Sequence, residues 1–308
     1  MTSIGVVVTT WNTLNFLKPM VETIRTKHPY KLIIVDNASV DGVEEWVKSR
    51  RRGKCIFYKQ ETQEGEGRNR NVGMKLAHEL GVTHIILSQE DVLLHKDCID
   101  NLVLELERHK NWLMACAWAV MPWDMPKEWA TVTAPLRGLY SMAYVDPDMS
   151  KDNLDELLEH SHEAVAALDN ITPRGANATP VPIVACVRSD FVDRVGYYDG
   201  GFTEVGYDDA DLMHRCGLAA GHWEIRWATQ RALYFHWGGG SLFNNGIKLL
   251  PIREPIMQAN EQRYIKKWGG KVLQEKFSTP IPQPSLWDME YTYPKATRKL
   301  KTKEGLYS

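Results

Sequence analysis

The chain has 308 residues, with 37 Lys and Arg against 39 Asp and Glu, for a formal net charge of −2. That length allows one large domain or two small ones, and the near-neutral charge argues against a general electrostatic nucleic-acid binder. The apolar fraction of 44% and charged fraction of 25% are those of an ordinary globular protein, and five scattered cysteines without CxxC spacing exclude a disulfide framework or zinc ribbon and fit a reducing compartment.

The opening "MTSIGVVVTTWN" lacks a basic n-region and a long apolar run, so no signal peptide is expected. No stretch approaches ~18 uninterrupted apolar residues, so no membrane span is expected either. A cytoplasmic location follows as the expectation.

"IGVVVTTW" is a continuous β-branched run and reads as a strand buried on both faces. Residues 14–28 have helical spacing, with Leu14, Leu17, Val21 and Ile24 on one face. "KLIIVDNASVDG" predicts a second buried strand running into a turn, "VEEWVKSR" a short helix and "KCIFYKQ" a third strand. "GRNRNVGMKLAHELG" predicts a loop and helix closed by Gly81, and "THIILSQED" a fourth strand ending in acids. The region 118–180 is rich in proline and turn residues, with one amphipathic helix in "NLDELLEHSHEAVAALDN". It reads as an insertion beside the site, and its Trp118, Trp123 and Trp129 suit either sugar stacking or packing of the insert. "PIVACVRSDFVDRVGYYDGGF" returns to strand and helix, and "EPIMQANEQRYIKKWGG" predicts a late helix ahead of a proline-rich, basic tail.

Strands alternating with helices at this spacing imply βαβ units and a mostly parallel sheet flanked by helices. Ligands collect at the carboxyl ends of such strands. Here those ends are Thr9–Asn12 and Asp36–Ser39, which suit a nucleotide, and Gln89–Asp91, which suits a cation. The cluster "GYDDADLMHR" sets Asp208, Asp209 and Asp211 just ahead of an apolar, helix-like stretch. Acids in a first helical turn are favoured by the macrodipole, but that does not call for two adjacent carboxylates.

Taken in order, "VVVTTWN", "IIVDNASVDG", "GRNRNVGMKLA", "HIILSQED", "GYYDGGF…GYDDADLMHRCGLAAGH", "HWGGGS" and "YIKKWGG" resemble the family 2 glycosyltransferases of GT-A fold, across roughly residues 4–270. The resemblance implies a Rossmann-like α/β fold with an insertion and a C-terminal extension. It implies a catalytic domain over 1–250, with 118–180 on the acceptor side, followed by a C-terminal helix and basic tail over 251–308. It also implies transfer of a hexosyl or pentosyl group, with inversion, from a nucleoside-diphosphate sugar to an acceptor hydroxyl.

The resemblance assigns Asp36 to the base or ribose, with Thr9, Thr10 and Asn12 beside it. Arg70 meets the diphosphate or, alternatively, holds the loop in a buried ion pair. Mn²⁺ or Mg²⁺ is expected on oxygen ligands, and Mn²⁺ also accepts an imidazole. The family's Asp-x-Asp is here "SQED", which puts an amide, Gln89, on the first position. Asp91 is then the expected ligand, Glu90 the choice on a one-residue slip, and His236 the second ligand or a diphosphate contact. Asp209 falls on the catalytic-base position, with Asp208 orienting the loop or acceptor and Asp211 bracing the helix. The helix N-terminus is expected to keep Asp209 ionised near neutral pH.

The acceptor stays open among a glycan, a lipid-linked sugar, a protein, a small molecule and a nucleic-acid base. The basic stretches 48–54 and 295–303 suit peripheral contact with anionic lipid or nucleic acid, or else a solvated face. Two alternatives stand beside the transferase: a nucleotidyltransferase making the sugar nucleotide, and a sugar- or nucleotide-binding relative without turnover.

Overall fold

The computed structural model of the chain describes residues 1–50, 55–120, 182–202, 206–220, 225–227, 232–236 and 250–276. Expectations for Trp123, Trp129, the amphipathic helix of the insertion, residues 51–54, the glycines after His236 and the basic tail lie outside the described residues.

The first half alternates as its periodicity predicts. Strand β1 (Ile4–Thr10), helix α1 (Leu14–Thr23), β2 (Tyr30–Asp36), α2 (Val43–Ser49), β3 (Cys55–Lys59), α3 (Glu66–Glu79) and β4 (His84–Gln89) follow one another. Helix α1 stops short of the predicted residue 28. The Thr23 hydroxyl turns back to donate to the Met20 carbonyl (2.7 Å) and accepts the Leu94 N–H (3.0 Å), and the backbone extends at Ile24.

After β4 the chain leaves the main sheet. Strand β5 (Val92–Leu94), helix α4 (Cys98–Arg108) and β6 (Met114–Cys116) precede the insertion, and β7 (Trp118–Val120) opens it. Then come β8 (Ala185–Arg188), α5 (Phe191–Val195), α6 (Asp208–Ala220), β9 (Ile225–Trp227), β10 (Leu233–His236) and α7 (Leu250–Trp268).

The seven-stranded sheet runs β3-β2-β1-β4-β8-β6-β9, and a second sheet runs β5-β10-β7. β1 lies between β2 and β4, parallel to both, so a run of buried valines is what its place demands. β8 is antiparallel to both β4 and β6. One apolar cluster lies around Val6, Leu17, Ile34 and Leu102, a second around Val7, Val72, Leu87 and Leu212. Because Val6 and Val7 point to opposite faces of β1, the sheet is buried on both sides.

Helix α3 lies unusually close to β1. A Cβ at Gly73 would stand 2.1 Å from Val7 Cγ1, so only glycine permits this approach. The register aligns Thr10 with Asp36 and Thr9 with Gln89, which levels three strand ends along one edge. Among the described residues, no helix is long and apolar enough to cross a membrane.

Candidate active site

The expected nucleotide strand ends form one cradle. Asn12 and Ala38 take left-handed backbone angles (φ 52° and 61°), and each loop clasps the other. The Asn12 N–H donates to Ser39 Oγ (2.8 Å), while the Val40 N–H donates to Asn12 Oδ1 (2.8 Å). Asp36 lies beneath with 0% exposure. Its Oδ1 accepts the Ser39 N–H (3.2 Å), and its Oδ2 is enclosed without a hydrogen bond, 4.0 Å from Lys59 Nζ. Burial raises the Asp36 pKa, and Ser39 and Lys59 act against that rise.

Thr9 and Thr10 are buried and face inward. The Thr9 hydroxyl donates to Glu66 Oε1 (2.8 Å), and the Thr10 and Thr13 hydroxyls share a bond of 3.0 Å. Both threonines therefore brace the cradle.

The chain changes sheets at Glu90 and Asp91, and the two acids point to different partners. Glu90 Oε1 accepts from the Thr13 hydroxyl (2.9 Å). Asp91 Oδ1 lies 3.4 Å from His236 Nε2, because antiparallel pairing sets His236 opposite Val92. The sequence predicts one strand through "HIILSQED", but β4 ends at Gln89 and the acids sit at a corner. That corner brings Asp91 and His236 together and leaves Glu90 turned toward α1. One carboxylate and one imidazole suit a divalent cation whose other positions go to diphosphate oxygens and water. Among the described residues, no group of three His, Cys, Asp or Glu residues is placed to hold a metal.

The acidic cluster begins α6. Gly206 and Tyr207 both have positive φ (78° and 70°) and launch the helix, and the Asp211 N–H donates to the Tyr207 carbonyl (2.9 Å). A left-handed tyrosine carries strain of the kind held at functional sites. The Asp209 side chain keeps 29% exposure, but its Oδ1 is enclosed, without a hydrogen bond, and 3.6 Å from Arg70 Nη1.

Arg70 itself is 1% exposed. Its Nε donates to Glu66 Oε1 (2.7 Å), and its Nη1 donates to the Pro182 carbonyl (2.9 Å) and the Tyr198 hydroxyl (2.8 Å). Its surroundings are those of a buried ion pair, with the guanidinium beneath Asp209. Burial opposes its charge, but Tyr198, Glu66 and Asp209 outweigh burial and hold it protonated.

The two acids do not behave as the helix N-terminus alone predicts. Burial first, then repulsion from Asp209, pushes Asp208 up to about 7. Burial also raises Asp209, with Arg70 pulling against it, Glu66 adding to the rise and the Tyr198 hydroxyl lowering it. The macrodipole's contribution of about 0.3–1 kcal/mol is smaller than the cost of enclosing a carboxylate, so desolvation wins.

Asp211 braces the helix, as expected. It is fully buried, and it accepts from Arg215 Nε (2.9 Å) and Trp268 Nε1 (2.9 Å) and pairs with Lys267 Nζ (2.5 Å). Lys267 also reaches Asp199 Oδ2 (3.0 Å), which binds α7 to the site.

Sequence reasoning missed Glu66, Tyr198 and Lys267. The first left a signal, since Glu66 and Arg70 stand four apart, the spacing of a helical ion pair. Trp118 lies in β7, where it pairs with Leu233.

A parallel sheet edge with a nucleotide-type cradle, a cation-type corner and an enclosed carboxylate at a helix start defines an α/β protein of the GT-A class. Residues 5–160, about half of the chain, match the family described as Glycosyl transferase family 2, and the chain belongs to it. No curated protein matches the chain.

Among solved structures, TarS 1-349 of S. aureus is similar at 13% identity and a TM-score of 0.51, covering 86% of this chain and 66% of that one. The same fragment in complex with UDP shows 14% identity and a TM-score of 0.51, over 89% and 74%. Mannosyltransferase PcManGT from Pyrobaculum calidifontis, in complex with GDP-Man and Mn2+, shows 14% identity and a TM-score of 0.50, over 87% and 65%. The chain thus spans about two thirds of these relatives, and at such identities the likeness is one of fold.

Proposed function

We propose that this chain transfers a sugar from a nucleoside-diphosphate sugar to an acceptor hydroxyl, with inversion at the sugar carbon and Asp209 as the base. One observation carries the assignment: Asp209 Oδ1 is enclosed and lacks a hydrogen bond, although it lies in a strained helix start that sets it beside Arg70. An enclosed carboxylate oxygen without a donor is costly in a fold. The 29% of the side chain that stays exposed belongs to the rest of the carboxylate, and that is the part an acceptor hydroxyl can reach.

In the reaction the acceptor oxygen forms its bond to the anomeric carbon and gives its proton to Asp209. The bond to the diphosphate breaks with its electron pair on the departing nucleoside diphosphate. Arg70, locked under Asp209, fixes the carboxylate's direction, and Asp208 faces the same space. Asp36, through Oδ2, which has the Lys59 ammonium 4.0 Å away but no hydrogen bond, takes an N–H of the base or a ribose hydroxyl. Asp91 and His236 would hold Mn²⁺ or Mg²⁺, which neutralises charge growing on the leaving diphosphate.

The relatives' complexes with UDP and with GDP-Man and Mn2+ support this reading of the donor. We take the catalytic body as residues 1–250 with α7 docked onto it, residues 118–180 as the acceptor side, and the five free cysteines as a sign of cytoplasmic action. A nucleotidyltransferase expects a glycine-rich basic loop after β1; here Trp11–Thr13 lead directly into α1.

The test is a panel of nucleotide sugars with Mn²⁺ or Mg²⁺, scored for nucleoside diphosphate release. Turnover of one donor, with Asp91→Ala and chelation each lowering donor affinity, is the expected result. Tight binding of a donor without any turnover would favour the non-catalytic relative.

A further inference from the structure

Tyr198 lies in the segment between α5 and α6, fully buried and held from several sides. The side-chain amide of Asn71, on α3, takes both of its backbone polar groups: Nδ2 donates to the Tyr198 carbonyl (2.8 Å), and Oδ1 accepts the Tyr198 N–H (2.8 Å). Gly67, a turn earlier on α3, lets the tyrosine approach, since a Cβ there would sit 3.2 Å from Tyr198 Cβ. The next residue, Asp199, accepts from Lys267 (3.0 Å) and Arg263 (2.8 Å) on α7. A buried amide that satisfies two backbone groups at once specifies one position and tolerates no slip.

What that placement presents is a hydroxyl. It accepts Arg70 Nη1 at 2.8 Å, and the guanidinium carbon lies 5.3 Å from the ring centroid. The same Nη1 stands 3.6 Å from Asp209 Oδ1. With a lone pair engaged by Arg70, the phenolic hydrogen is free to turn to the neighbouring Asp209 carboxylate.

We infer that Tyr198 is a positioning residue for the acceptor-activating carboxylate: its hydroxyl, locked through Arg70 and Asn71, donates to Asp209 and fixes which oxygen faces the acceptor. The inference rests on Asp209 being the base. The groups acting on Asp209 are Arg70 and Glu66 from α3, Asp208 from its own helix, and Tyr198 itself. Tyr234 from β10 and Cys116 from β6 also feel its charge. Of these, Arg70 and Tyr198 favour its ionised form, and Tyr198 does so without adding a charge.

Tyr198→Phe removes one oxygen and leaves the Asn71 and Gly67 contacts in place. On whichever nucleotide sugar the panel identifies, kcat is expected to fall, up to about 100-fold for a misplaced reacting group, with nucleoside diphosphate affinity unchanged. The acid limb of the kcat/KM profile is expected to move to higher pH, because a carboxylate stripped of a donor ionises less readily. Should the Phe variant fail to fold, Asn71→Ala frees the Tyr198 backbone and is expected to move the limb likewise. A Tyr198→Phe enzyme with the parent rate and profile would overturn the inference, as would a loss uniform in pH that tracks lost nucleotide affinity. If Asp209→Asn is inactive while Tyr198→Phe is normal, only Tyr198 loses its role; if Asp209→Asn is active, the base assignment fails first.

Discussion

Asp36 and Asp209 each hold one carboxylate oxygen enclosed without a hydrogen bond, but different forces hold them. Asp36 ends a strand of buried apolar residues, and two loops clasped through Asn12, Ser39 and Val40 supply its surroundings. Asp209 depends on distant charges: Arg70 and Glu66 from α3, then Asp211, Lys267 and Asp199 tying α6 to α7. Apolar packing gives the first region its rigidity at low electrostatic cost. In the second, buried ions are stable only as a complete set, since removing one leaves its partner desolvated and unpaired. The cradle around Asp36 is therefore a robust platform, and the helix start around Asp209 is a tuned one.

That contrast can be broken at its weak side first. Lys267→Met leaves Asp199 and Asp211 without the ammonium that is 2% exposed between them. We expect a loss of about 3–5 kcal/mol, read by denaturant unfolding; a loss under about 1 kcal/mol would show that the network is not what holds α7. On the platform side, Gly73→Ala pushes a methyl into Val7, and we expect about 1–3 kcal/mol of destabilisation from overpacking.

Asp208 sharpens the comparison through pH. Its folded pKa of about 7 lies above the ordinary 3.8, so between those values the folded protein keeps a proton that the unfolded chain has lost. Stability from this group falls as pH rises through about 4 to 7. Asp208→Asn is expected to stabilise the protein at pH 8, on the order of 1–2 kcal/mol, with the gain vanishing by pH 4. The check is melting across that range; a gain that does not change with pH would mean the carboxyl is not strained.

The same division decides what the sequence disclosed. β1 to β4 were legible because strands buried on both faces are continuous apolar runs, and the ends of such runs mark the ligand edge. Asp36, Asp91, His236 and Asp209 could be proposed from short motifs, because each lies near the end of such a run or the start of a helix. The corner at Glu90–Asp91 was not visible, since β5 exists through pairing with β10, more than a hundred residues on. Nor was the Arg70–Tyr198 contact or the Lys267 clamp, because charges that meet only in the fold leave no local period. The raised pKa of Asp209 had to come from structure as well: a helix start is readable in sequence, while enclosure is not.

One measurement bears most directly on the account. Asp209→Asn, compared with the parent protein on a donor the parent turns over, should bind the nucleoside diphosphate with unchanged affinity by calorimetry and lose transfer by at least about 100-fold. Transfer near the parent rate by the folded variant would contradict the central claim that this carboxylate takes the acceptor's proton.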